Sequence, residues 1–264
     1  MKWIFFLFLF SPLTVWCEAQ DWQKTLSSPE PGNFPAPHAQ KATYRLGWSN
    51  LVAGEAEANF TKPENDVFQL DLKARSIGLV RGLWKLDASH SALARASALR
   101  PLKVKQIEIY RSKTVTTLLS FNNSGVSSLR ILNPPDPVPP VKQKFQFQNL
   151  YDLQTALLYI RSQRLQTGDR SSFVVFPGNS PYLATIRVIG RENIQIKTGR
   201  YNALKLELNL QKINNQLQLE HSKKFKRAFA WLSDDSDRLV LRAEMEIFVG
   251  SIWVELQSIQ FTAP

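Results

Sequence analysis

From Ala42 onward the chain alternates apolar with polar or small residues in short stretches cut by turn formers, and a repeat of two is that of a half-buried strand. Tyr44, Leu46 and Trp48 set the pattern, and Phe68, Leu70 and Leu72 repeat it against Val67, Gln69, Asp71 and Lys73. Lys62-Pro63-Glu64-Asn65-Asp66, Asn122-Asn123-Ser124-Gly125, Lys197-Thr198-Gly199, Asn214-Asn215 and Asp234-Asp235-Ser236-Asp237 punctuate these runs with residues suited to turns. Strands are predicted over 44–48, 51–60, 67–74, 87–93, 104–110, 113–121, 126–132, 172–176, 184–196, 200–210, 217–220, 226–232, 239–249 and 251–261. A short helical turn is predicted within 77–86, from the spacing of Ile77, Val80, Leu83 and Trp84. In the last strand, apolar residues on both parities, among them Ile252, Trp253, Val254 and Leu256, predict burial on both faces.

One longer segment breaks the repeat. Over 151–165, Leu153, Ala156, Leu157 and Ile160 fall three and four apart and predict one amphipathic helix. Asp152 stands near its start, Arg161 and Arg164 near its end, and Gly168 follows as a stop signal. The fold class is therefore all-β: an antiparallel curved sheet or barrel-like domain of about a dozen strands, with the helix packed on it. No solenoid repeat is present.

The flanking segments read differently. Lys2 followed by the apolar run from Trp3 to Phe10, then small residues near Ala19, has the order of a secretory signal over 1–19. It is short for a permanent span, which needs about 20 residues. The expected address is periplasmic or otherwise exported, outside most ATP- and NAD-dependent chemistry. Cys17 is the single cysteine; bulky Trp16 before it argues against a lipid anchor, and cleavage after Ala19 leaves no disulfide. Pro29, Pro31, Pro35 and Pro37 predict an extended linker over 20–41, leaving 42–264 as a single domain. Five prolines within 133–140 predict a loop that cannot join a ladder.

With 44% hydrophobic and 21% charged residues the composition is that of a globular protein, and the net charge is +11. Outside the cytoplasm that charge points to phospholipid headgroups or acidic glycans rather than nucleic acid. The densest basic run, Lys223, Lys224, Lys226 and Arg227, followed by Trp231 on the same predicted strand, is the candidate patch for an anionic ligand. His38, His90 and His221 are scattered, and no metal-ligand spacing, nucleophile elbow or phosphate loop occurs, so no catalytic residue, metal or cofactor is assigned. Glu55 and Glu57 share a strand face and would be the carboxylates of a hydrolase; a solvated charged face accounts for them better. Asp234, Asp235 and Asp237 lack the spacing of a calcium loop and suit a hairpin turn.

The order of motifs resembles the DUF3108 family of exported bacterial proteins of unknown function. The resemblance runs over about 42–258. It is carried by Tyr44-Arg45-Leu46-Gly47-Trp48, Ala53-Gly54-Glu55-Ala56, Tyr151-Asp152-Leu153, Tyr159-Ile160-Arg161, Leu165-Gln166-Thr167-Gly168-Asp169, Gly199-Arg200-Tyr201-Asn202-Ala203-Leu204-Lys205, Trp231-Leu232-Ser233-Asp234-Asp235 and Ile247-Phe248-Val249-Gly250-Ser251. Leu239 stands where the family pattern places a proline. The resemblance implies a β-rich envelope domain and brings no catalytic residues. The functional expectation is a non-catalytic binding or carrier module for a lipid or an anionic glycan, the helix closing a space for an acyl chain or polymer. The alternative is a structural factor that meets an envelope protein through a sheet edge or the proline loop.

Overall fold

The computed structural model describes residues 21–64, 66–133, 138–220, 227–247 and 250–262. The predicted signal segment with Cys17, the centre of the proline loop at 134–137 and the basic run at 221–226 lie outside them.

One sheet of sixteen strands accounts for most of the fold. The first meander is β1 (Gln40–Trp48), β2 (Leu51–Glu64), β3 (Val67–Ser76), β4 (Leu86–Arg95), β5 (Arg100–Tyr110), β6 (Thr114–Asn122), β7 (Gly125–Asn133) and β8 (Val141–Gln146), with α1 (Gly78–Leu83) between β3 and β4. Then come β9 (Leu150–Tyr151), α2 (Leu153–Ser162), β10 (Arg170–Val175), β11 (Tyr182–Ile196), β12 (Gly199–Ile213), β13 (Leu219–Glu220), β14 (Arg227–Ser233), β15 (Val240–Glu246) and β16 (Ser251–Phe261). The sheet runs from β8 through β1 to β16 and on to β10 and β9, with β13 beside β12. The expected all-β, curved antiparallel architecture is what forms; β9 is paired parallel with β10.

The sheet coils as a spiral rather than closing edge to edge. Val174, Phe176, Leu183 and Ile213 of the β9 end share a buried cluster with Ala92, Val104, Leu119, Phe121 and Val126 of β4–β7. The opposite parity of the same strands, Phe173, Val175, Ala184, Ile186 and Val188, clusters with Ala156, Tyr159 and Ile160 of α2. The β9 end is thus tucked inside the curl, and only three residues separate it from β8, the other end. The Gln106 side-chain amide donates to Pro177 O (2.7 Å) and the Ser128 hydroxyl to Gly178 O (3.0 Å), tying β5 and β7 to the loop after β10.

Helix α2 fills the curl. Asp152 caps it, accepting from the Gln154 and Thr155 amides (2.8 and 3.4 Å), while the Thr155 hydroxyl accepts from the Asp152 amide. Burial pushes the Asp152 carboxyl above the usual carboxylate range, against these bonds. The helix is shorter than predicted, and its inward stripe differs: Leu153 is 54% exposed, while Leu158 is 2% exposed among Phe60, Phe68 and Ala94. The reason is that a helix inside a curl is contacted nearly all round, so an amphipathic rule built for a surface helix misplaces its faces.

The predicted stop at Gly168 is not used. Gln163 turns into extended backbone, and the exposed carbonyls are taken by a residue far along the chain. The Arg238 guanidinium donates to Arg161 O (2.6 Å), Arg164 O (3.0 Å) and Gln163 O, and lies 3.3 Å from the centre of the Phe34 ring. Burial pushes Arg238 and Arg161 down to about 10. The same enclosure pushes Tyr44 up to about 12. Arg238 is fixed by the aspartate turn: Asp235 Oδ1 accepts from the Ser233 hydroxyl and the Asp237 and Arg238 amides (2.7–3.0 Å).

Residues 21–39, predicted as a linker, are extended but fastened to the domain. Trp22 is buried, its indole donating to Leu217 O (2.7 Å) and stacking on Phe147. Beyond it the Tyr159 and Tyr151 hydroxyls donate to Ser28 O and Pro29 O, and the Phe34 amide donates to Ser162 O. Gly32 crosses so close to α2 that a Cβ there would stand 2.1 Å from Ser162 O. Two more readings change. Strand β8, unpredicted because proline precedes it and lysine alternates through it, pairs with β7. The last strand is not buried on both faces: Leu256 is fully buried but Ile252 is 41% exposed, whereas Phe173–Val175 of β10 and Ala203–Leu204 of β12 are buried on both parities.

Candidate functional site

Because α2, the aromatic residues and the N-terminal strap occupy the curl, the open charged surface lies on the polar face opposite the core. On β1–β5 the register places one row across the strands: Arg45, Glu55, Arg75, Asp87 and Ile109 are successive cross-strand partners. A second row, two residues along, is Thr43, Glu57, Lys73, Ser89 and Ile107. Tyr44, Ala56, Ala74 and Ala88 lie between the rows with opposite parity, so the floor there is backbone. The result is a trough of about 720 Å³ across five strands, with Lys197 and Gln257 also in its lining. Four strand spacings make it about 19 Å long.

The charges in the trough are not balanced within it. Arg75 Nε donates to Glu55 Oε1 (2.6 Å), Lys41 Nζ meets Glu57 (2.9 Å) and Arg81 grips Asp87 with two nitrogens (2.8 and 2.9 Å). Arg81, supplied by α1, holds the Asp87 carboxyl below the usual carboxylate range through those bonds. Arg45, Lys73 and Lys197 have no ion-pair partner among the described residues. Exposed pairs of this kind contribute about 0–1 kcal/mol each, so the trough is a charged surface more than a source of stability.

The residues singled out in the sequence fall as follows. Glu55 and Glu57 do share a face, and each is committed to its own cation, an ion-pair role. The aspartate turn is a local hydrogen-bond device, as its spacing implied; Asp234 also pairs with Arg191 and Asp237 with His38. Among the described residues no group of three His, Cys, Asp or Glu side chains is placed to hold a metal ion. His90 is enclosed on the core face, where burial lowers its pKa despite Glu108 at 3.9 Å. Of the basic patch, Lys223, Lys224 and Lys226 lie outside the described residues, and Arg227 is exposed at the start of β14. Trp231 shares that strand face but not the exposure: it is 6% exposed, its indole donates to Glu192 Oε1 (2.6 Å), and the Lys205 ammonium covers its ring at 5.0 Å. An enclosed ring cannot offer a stacking surface, so Trp231 belongs to the packing.

Arg227 has other company. It lines a cleft of about 360 Å³ with Arg170, Thr185, Arg187, Glu207 and Asn209, side chains of one parity on β10, β11, β12 and β14. Sequence reasoning missed Arg170, Arg187, Lys73 and Lys197 as site residues. The alternation put Lys73 on the polar face, but only the strand register brings these residues together.

Residues 43–257 match the family described as protein of unknown function (DUF3108). No curated protein matches the chain. Among solved structures, a β-barrel-like protein of a domain of unknown function, DUF1849, from Brucella abortus is similar at 8% identity with a TM-score of 0.58, over 87% of this chain and 100% of its own. At that identity the likeness is one of fold. A protein described as a candidate lipoprotein from Parabacteroides distasonis aligns over 88% of this chain and 99% of its own (8% identity, TM-score 0.35). One described as a candidate exported protein with a YmcC-like fold from Bacteroides fragilis aligns over 87% and 99% (8% identity, TM-score 0.32).

Proposed function

The chain belongs to the DUF3108 family of proteins of unknown function, and from that premise we propose that it is an exported, non-catalytic binding module of the cell envelope whose ligand is an anionic glycan. The observation that carries this reading is the trough: its carboxylates are each held by a cation, while Arg45, Lys73 and Lys197 are left without one among the described residues. An open trough about 19 Å long suits an extended polymer, and exposed Ile109 at its far side offers apolar surface to a sugar face. The packing of α2 into the curl favours this over the carriage of an acyl chain, since Leu158, Tyr159 and Ile160 stand where such a chain would lie. The export reading rests on the order of charge and apolar run at 1–19.

Binding of the mature protein to a polyuronate, followed by calorimetry at low and at physiological salt, tests the proposal. The wild type saturates, more weakly as salt rises, and R45Q/K73Q/K197Q loses at least about tenfold in affinity with its melting temperature within about two degrees of wild type. Equal affinity in the two proteins overturns the reading.

A further inference from the structure

On the same polar face, well away from the trough along the sheet, three arginines converge without acids to match. Arg170 and Arg187 are directly opposite each other on β10 and β11. Arg227 enters the same cleft from β14, two strands beyond β11. Like charges directly opposite in an antiparallel pair are destabilising, and other cross-strand arginines of this sheet do meet a carboxylate: Arg75 has Glu55 and Arg242 has Glu255. Among the described residues no carboxylate comes within 4.0 Å of Arg170, Arg187 or Arg227, although Glu207 faces Arg187 in register and Glu246 faces Arg227. All three arginines are exposed at their own positions, so their guanidinium groups are free to turn into the cleft.

We infer that Arg170, Arg187 and Arg227 form a binding site for a phosphomonoester group, a second contact for the ligand of this module beside the trough. The assignment rests on the binding reading above and adds the chemistry of the charged group. A guanidinium presents a planar fork that meets two oxygens of an oxyanion at once. Three forks need more acceptor oxygens than one carboxylate has, and a terminal phosphate offers three. The charge also fits: three guanidinium cations and the Glu207 carboxylate leave two positive charges, and a phosphomonoester carries about −1.5 to −2 at neutral pH. Thr185 and Asn209 in the lining add neutral hydrogen-bonding groups for the remaining oxygens or for a sugar hydroxyl. The phosphate could be carried by a sugar or by a lipid headgroup, and the two sources share this chemistry.

Isothermal titration of the mature protein with inorganic phosphate reads the shared chemistry; glucose 1-phosphate and vesicles of phosphatidic acid in phosphatidylcholine separate the sources. Phosphate saturates the wild type, and R170Q and R187Q each weaken it about tenfold, whereas R45Q in the trough leaves it unchanged. Tighter binding of the sugar phosphate than of phosphate identifies a glycan-borne group; retention on the acidic vesicles alone identifies a lipid. Because both arginines are exposed, Q variants keep the fold, and the melting temperature without phosphate should hold or rise as the opposed pair is relieved. No saturation with phosphate, or equal loss in R45Q, overturns the assignment. If phosphate fails while the polyuronate still binds through the trough, only this inference falls; if neither binds, the binding reading falls with it.

Discussion

Replacing Arg238 with alanine removes the cap on the C-terminal end of α2, and the structure sets the size of the effect. Three carbonyls, of Arg161, Gln163 and Arg164, lose a charged donor at once. A hydrogen bond to a charged group contributes about 1.5–3 kcal/mol, so three would give an upper bound of about 9 kcal/mol. Two terms reduce it. The guanidinium is itself desolvated, which is why its pKa falls to about 10, and alanine relieves that cost. Arg164 is exposed, so water can replace the donor at its carbonyl. The Arg161 carbonyl has no such substitute, and the contact with Phe34 that pins the N-terminal strap is lost as well. The expected loss is about 3 kcal/mol, with R238K recovering less than half because an ammonium lacks the fork. Urea unfolding followed by tryptophan fluorescence measures it. A loss below about 0.5 kcal/mol would show that the helix end is held by packing alone and that the capping argument is wrong.

Asp152→Ala strips the Gln154 and Thr155 amides of their acceptor at the other end of the helix, and should cost about 1–2 kcal/mol in urea unfolding, with Asp152→Ser recovering most of it. Gly32→Ala drives a methyl group into Ser162 O, so the strap should lift locally: trypsin should cut at Lys24 faster than in the wild type while the domain stays folded. His90, with its pKa lowered by burial, binds a proton more weakly folded than unfolded. Its contribution is intact above about 6.5 and lost as pH falls below that value, so the urea midpoint of wild type should drop between pH 7.5 and 5.5 more than that of His90→Asn.

The repeat of two made the sheet legible, because most of the long strands from β1 to β7 meet solvent on one side and the core on the other over much of their length. It could not show the spiral, since the burial of Val174 and Phe176 against Val104 and Phe121 is a contact between strands far apart in sequence. The same limit hid the capping of α2, whose donor lies 74–77 residues downstream. Trp22 escaped notice as a core residue because a lone tryptophan beside a proline-rich stretch carries no periodicity. In the motif Tyr44-Arg45-Leu46-Gly47-Trp48 the glycine has a packing reason: a Cβ at Gly47 would stand about 2 Å from the Trp253 indole. The site was half legible. Arg227 stood out as the end of a basic run, and Arg45 and Lys73 fell on the polar face. That Arg170 and Arg187 oppose each other is fixed by the β10–β11 register.

Native mass spectrometry of the mature protein purified from its own envelope, with denaturing release of whatever is bound, tests the binding claim most directly. A defined anionic adduct is expected on the wild type and absent from R45Q/K73Q/K197Q purified in parallel. A bare mass for the wild type, or the same adduct on both proteins, would contradict it.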